Sequence, residues 1–240
     1  MTRRACIIAI DGPAGAGKST VAKHIAKHFG FLNLETGAMY RAFALKAREC
    51  GVDVDDAAAL ERLAAETSIR LEAGDEGNRV LLDGTDVTGR IRTAEVTQAA
   101  SRVSVHSAVR AWMVSLQRAL GKNSRVVMEG RDIGTVVFPH ADLKFFLDAS
   151  PEARSQRRYE QNSTVAGQDG AQVNAEEAAQ IAKELRERDA RDRNRAESPL
   201  KAAEDAIVID STNMSLQEVL KFIEYEVDAH LRLPVVNEEL

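Results

Sequence analysis

The stretch Gly12-Pro13-Ala14-Gly15-Ala16-Gly17-Lys18-Ser19 fits the pattern G-x-x-x-x-G-K-[ST]. In this pattern a glycine-rich backbone turns its N–H groups toward phosphate oxygens, and the positive end of the following helix dipole faces the same anion. Lys18 is predicted to reach the β- and γ-phosphates, and the Ser19 hydroxyl is predicted to ligate Mg²⁺. The stretch therefore predicts a loop that binds the phosphates of a nucleotide.

The residues on both sides of the loop favour the same interpretation. Ala5 to Ile10 is apolar and β-branched, which predicts a buried strand. After the loop, Val21, Ile25 and Phe29 recur at helical spacing until Gly30. A tight turn that merely uses glycine is the alternative, and the order of strand, loop and helix argues against it. The glycine spacing is not G-x-G-x-x-G, so a dinucleotide-binding fold is disfavoured.

The rest of the chain alternates strand patterns with helical ones. Strands are predicted at 31–34, 125–128, 143–147 and 206–209, and helices at 36–51, 95–120 and 216–227. This alternation predicts an α/β fold with a doubly wound parallel sheet. At about 60–93, short strand patterns flank turn residues and predict a small antiparallel insertion. We expect a single domain over 1–240 that carries this insertion.

Composition and charge narrow the choice of partners and compartment. The net charge is −5 with a pI near 5.7, so we expect neither nucleic acid nor an anionic membrane to be bound through a global field. Cys6 and Cys50 lack the number and spacing of a disulfide framework or a zinc site. Without a signal peptide or a run of roughly 20 apolar residues, a cytoplasmic protein is expected. We expect it to be a monomer.

Four motifs follow one another along the chain. They are Ile8 to Thr20, then Thr36-Gly37-Ala38-Met39-Tyr40-Arg41, then Glu129-Gly130-Arg131-Asp132-Ile133-Gly134-Thr135, and finally Arg188 to Arg195. In these motifs, and over nearly its whole length, the sequence resembles the bacterial cytidylate kinases. Four motifs in order are far more specific than a phosphate loop alone.

The resemblance implies phosphoryl transfer from ATP to CMP, and to dCMP, giving ADP and (d)CDP with Mg²⁺. It implies that the insertion enlarges the acceptor-binding region and that a helical lid at about 155–185 closes over ATP. The residues that it implies for catalysis are Lys18, Arg131, Arg188 and Arg195. For nucleotide donor binding it implies the loop from Gly12 to Thr20.

The resemblance also implies the residues that hold the acceptor. Those for the phosphate are Arg41, Arg131 and Arg195, those for phosphate or ribose are Arg188 and Asp192, those for cytosine are Ser101, Arg110 and Asp132, and Thr36 and Tyr40 complete the set. Glu35 stands where the family usually has Asp, so it is left outside the predicted site. Glu129 is Asp in some relatives, which leaves its part in metal binding open.

The chemistry of phosphoryl transfer agrees with this set of predicted site residues. The nucleophile is a phosphate oxygen that is already charged at pH 7, so the reaction needs positioning and positive charge more than a strong base. Arginine supplies both because its planar fork donates two hydrogen bonds to phosphate and stays ionised. Arg131 and Asp132 follow a predicted strand, which puts them at the carboxyl edge of the sheet, where ligands bind in open α/β folds.

Two arginine clusters have alternative interpretations. Arg188, Asp192 and Arg195 fall at i, i+4 and i+7, which predicts that all three lie on one helix face. Alternatively, the helix is exposed to solvent and its charged residues form i, i+4 salt bridges with one another. Arg154, Arg157 and Arg158 lie at helical spacing after Pro151 and are predicted to cover the ATP phosphates when the lid closes, or else to form a solvated basic face.

A histidine pair and two other functions have weaker support in the sequence. His24 and His28 are spaced i, i+4 as in some metal sites, but the sequence near them offers no third ligand, so zinc is disfavoured. A P-loop kinase for another nucleotide or for an alcohol such as shikimate shares Lys18 and differs only in the acceptor residues. A GTPase-type switch lacks support because the sequence has no N-K-x-D motif.

Overall fold

A computed structural model describes residues 5–72, 78–122, 124–165 and 175–232. The helices of these residues are α1 Lys18–Phe29, α2 Thr36–Glu49, α3 Ala57–Ala65, α4 Ala94–Val103, α5 Ser107–Gly121, α6 Pro151–Val165, α7 Ala175–Arg193 and α8 Leu216–Arg232. The strands are β1 Cys6–Asp11, β2 Leu32–Glu35, β3 Ile69–Glu72, β4 Arg79–Leu82, β5 Thr85–Asp86, β6 Arg125–Gly130, β7 Leu143–Asp148 and β8 Ile207–Asp210.

Five strands form one parallel sheet in the order β2-β6-β1-β7-β8. The strand β1 is central, with β6 and β2 on one side of it and β7 and β8 on the other. This is the doubly wound arrangement that the alternating patterns predicted. The sheet separates two hydrophobic cores. Ala9 and Met128 face the core under α2, α4 and α5, whereas Ile10 and Val127 face the core under α1 and α8.

The predicted insertion is confirmed as a separate antiparallel sheet of β3, β4 and β5. Its apolar residues alternate with exposed ones along β3, which fits a strand with one face on the core. Asp83 and Gly84 join β4 to β5, and their φ angles of 49° and 83° are both left-handed, as a type I′ turn requires. The sheet packs on α2, whose residues belong to the same core.

The helical pattern at 95–120 is interrupted, and there the prediction of one helix is wrong. The helix is interrupted between α4 and α5 at Ser104, whose hydroxyl donates to the Ser101 carbonyl at 2.9 Å. Beyond the break, His106 donates to the Val54 carbonyl, at 2.8 Å, and α5 begins. The break turns α5 so that Arg110, in its first turn, is buried.

Between α6 and α7 lies the centre of the predicted lid, and residues 166–174 of it fall outside the described residues. The described parts of α6 and α7 pack on each other. Within the described ranges, no helix is both long and apolar enough to cross a membrane.

Candidate active site

The phosphate loop connects β1 to α1, as predicted. Gly12 has a φ of 147°, and a Cβ at this position would lie 2.0 Å from the Leu147 carbonyl oxygen, so no other residue fits beside β7. Lys18 is buried at the start of α1, and its ammonium donates to the Pro13 carbonyl at 2.6 Å. Burial, followed by the positive charge of Arg131, lowers the pKa of Lys18 to about 7. A phosphate in the loop would offer this ammonium the opposite charge that a carbonyl cannot supply.

Parallel register brings the ends of three strands together beside this loop. Asp11 pairs with Gly130 across β1 and β6, and Glu35 pairs with Glu129 across β2 and β6. The position predicted for the residues after β6, at the carboxyl edge with the phosphate loop, is thereby confirmed. This edge also holds two acidic residues outside the predicted site, Asp11 and Glu35.

Asp11 fixes the shape of this edge. Its two carboxylate oxygens accept the backbone N–H groups of Ile133 and Gly134, at 2.8 and 2.7 Å, and so hold the π-helical turn Ile133–Val137 against β1. Burial raises the pKa of Asp11 to about 6 despite these donors. Its place directly before Gly12 was the signal that sequence reasoning passed over, because the last residue of β1 lies at the ligand edge.

Oxygen ligands gather beside Ser19. Glu129 is buried, and its Oε1 has no hydrogen-bond partner. Burial and then the carboxylate of Glu35 raise the pKa of Glu129, while a hydrogen bond with Ser19 opposes the rise. Mg²⁺ prefers hard oxygen ligands near phosphate, and a buried carboxylate with an unused acceptor beside a hydroxyl fits that preference. The residues present therefore fit Mg²⁺, and Glu35, though not predicted, lies among them.

Three arginines surround Asp192 in the acceptor region. Arg131 Nε lies 2.9 Å from Asp192 Oδ2, and an Nη of Arg195 lies 3.9 Å from Oδ1. Burial raises the pKa of Asp192, but the charges of Arg131, Arg188 and Arg195 outweigh it, so the pKa is lowered. The helix α7 ends at Arg193, so Arg195 lies beyond it, and the prediction of one helix face for all three residues is wrong for Arg195. It reaches Asp192 from the segment that follows the helix.

Arg188 is the cation of this group with the least compensation. Burial, followed by the charge of Arg131, lowers its pKa to about 9, although Asp192 opposes the shift. Its Nε is buried without a hydrogen-bond partner, as is an Nη of Arg195. The structure thus brings Arg131, Arg188 and Arg195 together with donors left unused.

The start of α2 lines the opposite wall. Thr36 is the first residue of α2, and its hydroxyl donates to the Glu129 carbonyl at 2.7 Å, which ties the helix start to β6. Arg41 forms an ion pair with Glu35, and its Nε is buried without a partner. Sequence reasoning placed Arg41 in the site and excluded Glu35, whereas the structure pairs them.

The residues predicted to contact cytosine form a second polar cluster. Arg110 forms an ion pair with Asp132, with side chains only 4% and 9% exposed, and donates to the Ser104 carbonyl at 3.2 Å. The Arg110 guanidinium lies 6.0 Å from the centre of the Tyr40 ring. Burial raises the pKa of Tyr40 to about 12.

Ser101 belongs to the same surroundings but is already used. Its hydroxyl accepts a hydrogen bond from Arg191 Nε at 3.1 Å, which ties α4 to α7. Arg191 was not predicted for the site. A ligand that contacts Ser101 therefore meets Arg191 as well.

The arginines of α6 have separate roles. Arg154, one of the three arginines predicted here, is 3% exposed, donates to the carbonyls of Ala149 and Ala14 and pairs with Asp189, so it braces the phosphate loop from outside. Arg157 donates to the carbonyl and hydroxyl of Ser211, after β8. Arg158 is exposed, and its charge lowers the pKa of Arg188.

Alternative pairing within α7 does not account for these charges. Asp189 pairs with Arg154 of α6, and Asp192 pairs with Arg131. Arg191 donates to Ser101 of α4. These contacts join α7 to other elements, so the solvated-surface interpretation of this helix is wrong for the residues named.

A phosphate loop, a buried lysine beside oxygen ligands and a facing group of arginines with unused donors define a P-loop kinase, an enzyme that transfers a phosphoryl group. The family model described as Cytidylate kinase matches residues 8–228. The cytidylate kinase of Pelotomaculum thermopropionicum is 51% identical over 226 residues, covering 94% of this chain and 97% of that protein. The chain belongs to the cytidylate kinase family.

Other similar proteins carry the same family name. The cytidylate kinase of Solibacter usitatus is 50% identical and covers 89% of this chain and 88% of that protein. The one from Bacillus pumilus is also 50% identical and covers 88% and 91%. A shikimate kinase structure from Acinetobacter baumannii, at 16% identity and a TM-score of 0.43 over 95% of this chain and 96% of that one, is too distant to bear on the acceptor.

Proposed function

We propose that this protein transfers the γ-phosphoryl group of ATP to CMP and dCMP, giving ADP and CDP or dCDP. An oxygen of the acceptor phosphate attacks the γ-phosphorus, and the bond from that phosphorus to the bridging oxygen of ADP breaks. The observation that carries the proposal is the group of guanidinium atoms, on Arg41, Arg110, Arg188 and Arg195, that are buried without a hydrogen-bond partner.

Buried donors without partners are costly, so their concentration in one place indicates that a ligand supplies the acceptors. The partner atoms must be anionic because several of these donors are cationic and Lys18 faces the same edge. Two phosphate-bearing ligands, one in the loop and one among the arginines, would supply them. Family membership supports CMP as the second ligand.

The roles of individual residues follow from these positions. Lys18 would neutralise charge on the β- and γ-phosphates, and Arg131, Arg188 and Arg195 would hold the acceptor phosphate in line with the γ-phosphorus. Arg41 would reach the same phosphate from α2. Asp192, shared by three arginines, would keep them in place and contact the ribose.

Ser19 and Glu129, with Glu35 beside them, are the residues that would hold Mg²⁺. When bound, the ion supplies positive charge to the phosphate oxygens. On the base side, Asp132 would accept from the cytosine amino group, with Arg110 and Ser101 completing the contacts.

We further propose that the chain acts as one domain and as a monomer. In this proposal the insertion at 60–93 supports the acceptor wall, because β3 and β4 pack in the same core as α2, and the helices α6 and α7 form the lid. The overall charge of −5 supports small nucleotides, and not nucleic acid, as partners.

The test is a coupled ADP-release assay with CMP, dCMP, UMP, AMP, GMP and shikimate as acceptors. We expect CMP and dCMP to have the highest kcat/KM, UMP to be weaker, and the other compounds to be inactive. The donor is tested by replacing ATP with GTP at constant Mg²⁺, and chelation of Mg²⁺ should abolish turnover. A higher kcat/KM for an acceptor without cytosine would refute the proposed acceptor while leaving the kinase class intact.

A further inference from the structure

A cluster of ligand-type side chains lies between α1 and α8, further along α1 than the phosphate loop. His24 Nε2 lies 2.5 Å from Glu224 Oε1, and His28 Nδ1 lies 3.5 Å from the same oxygen. The three ligand atoms all lie within 4.8 Å of one another. The two histidines come from α1 and the carboxylate comes from α8, 200 residues away from His24 in the sequence.

We propose that His24, His28 and Glu224 form a binding site for a divalent transition-metal ion, with Zn²⁺ as the ion that fits best. Two histidines at i, i+4 on one helix and a carboxylate from a neighbouring helix are a donor set that zinc uses. Sequence analysis disfavoured zinc because a third ligand was missing, and α8 supplies it. This correction depends on the packing of α1 against α8.

The spacing of the ligand atoms suits a tetrahedral ion after a small adjustment. Ligands at about 2.0–2.1 Å from Zn²⁺ in tetrahedral geometry lie about 3.3 Å from one another. The separation of His28 Nδ1 and Glu224 Oε1 is already 3.5 Å. His24 and Glu224, now in hydrogen-bond contact, need to move apart by less than one ångström, which a rotation of either side chain provides. The fourth position would be taken by water.

The cluster is also accessible to an ion from solvent. The side chains of His24 and His28 are 39% and 52% exposed, and that of Glu224 is 28% exposed. The two imidazole rings are stacked, with centroids 6.0 Å apart. A bound ion would join α1 to α8 and stabilise that side of the sheet. His24 and His28 lie six and ten residues beyond Lys18, roughly 9 and 15 Å along the helix.

The test uses the full chain, stripped of metal by a chelator that is then removed, with neither nucleotide nor Mg²⁺ present. Zn²⁺ affinity and stoichiometry are measured by competition with a chromophoric chelator, and Tm is measured by calorimetry. We expect one Zn²⁺ per chain, and a rise in Tm of about 5 to 10 °C at a hundredfold excess over Kd. We expect His28→Gln, His24→Gln and Glu224→Gln each to lower the affinity at least about tenfold.

His28→Gln is the decisive variant, because it leaves the hydrogen bond between His24 and Glu224 intact and is the least able to disturb the fold. His140→Gln is the matched control, an exposed histidine outside the cluster. His230→Gln tests a rival, since Cys6, Asp142 and His230 also lie within ligand distance of one another. Unchanged affinity in His28→Gln, loss of binding in His230→Gln alone, or no shift in Tm at about 1 mM Zn²⁺ overturns the proposal.

Discussion

Two ion pairs on neighbouring helices show how differently the same chemistry is used in this protein. Arg102, in the last turn of α4, pairs with Asp55, and the two side chains are 48% and 62% exposed. Arg110, in the first turn of α5, pairs with Asp132, and these side chains are 4% and 9% exposed. The two arginines are only eight positions apart in the sequence, but one pair faces water and the other faces the candidate active site.

The difference in burial changes what each pair means. An exposed pair gains little because water screens both charges and the long side chains lose freedom. A buried pair has lost its hydration, so removing one partner strands the other charge. A protein that keeps several such charges at one edge bears a cost in stability that a ligand there can offset, which is why the buried pairs, and not the exposed ones, point to function.

The sharpest test of this contrast is Lys18, a buried cation whose ammonium has, within the described residues, the Pro13 carbonyl as its hydrogen-bond acceptor. Lys18→Ala should lower kcat by about a thousandfold or more, because the ammonium is the fixed positive charge nearest the phosphates. Since burial already disfavours the charged form, Tm of the free enzyme should not fall. Steady-state kinetics and calorimetry on the same preparation measure both. Near-normal turnover would remove Lys18 from catalysis.

The buried ion pair itself gives the largest expected effect on stability. Arg110→Ala leaves Asp132 buried without its partner, and should lower the free energy of unfolding by about 3–5 kcal/mol. Urea denaturation measures this difference. Arg110→Ala combined with Asp132→Ala should recover part of the loss, because no charge is then stranded. A single variant as stable as the wild type would show that the site admits enough water to solvate Asp132.

The sequence predicted the features that depend on near neighbours. The phosphate loop, its strand and helix, and the position of Arg131 at the sheet edge follow from local patterns and from the parallel order of strands. Local patterns do not predict which side chains pair with each other, because Asp192 lies 61 residues from Arg131 and Glu224 lies 200 residues from His24. The separation of Arg195 from α7 was also beyond local patterns, since helical spacing continues past the residue where the helix ends.

Arg188 tests whether uncompensated charge in the site serves the reaction. Arg188→Ala should lower kcat/KM for CMP by about a hundredfold to a thousandfold, because a donor to the reacting phosphates is lost. Its pKa is lowered mainly by burial and by Arg131, so removing the charge should leave Tm unchanged or raise it. Arg195→Ala should lower kcat/KM in the same direction. A variant that unfolds early but turns over normally would assign Arg188 a structural part only.

The effect expected for Asp132 is smaller and concerns specificity for the base of the acceptor. Cytosine presents an amino donor where uracil presents an oxygen, so a carboxylate attracts one base and repels the other. Asp132→Ala should narrow the ratio of kcat/KM for CMP to that for UMP by about tenfold. The ratio is the proper measurement, because the stranded Arg110 will lower overall stability in this variant. Equal losses for both acceptors would show that Asp132 only holds Arg110 in place.

The smallest effect is expected at the exposed pair of Arg102 and Asp55. Arg102→Ala should shift Tm by about 2 °C or less and leave kcat/KM for CMP unchanged, since both side chains are largely exposed and pair with each other. The hydrogen bond from Arg102 lowers the pKa of Asp55, so the pair should contribute least to the free energy of unfolding once acid protonates that carboxylate.

Asp55→Ala and the double variant Arg102→Ala with Asp55→Ala complete a double-mutant cycle that isolates the energy of this pair. Raising the salt concentration should reduce the already small coupling further, because exposed charges are screened. A coupling as large as that of Arg110 and Asp132, or a loss of activity in Arg102→Ala, would show that burial is not what separates the two pairs.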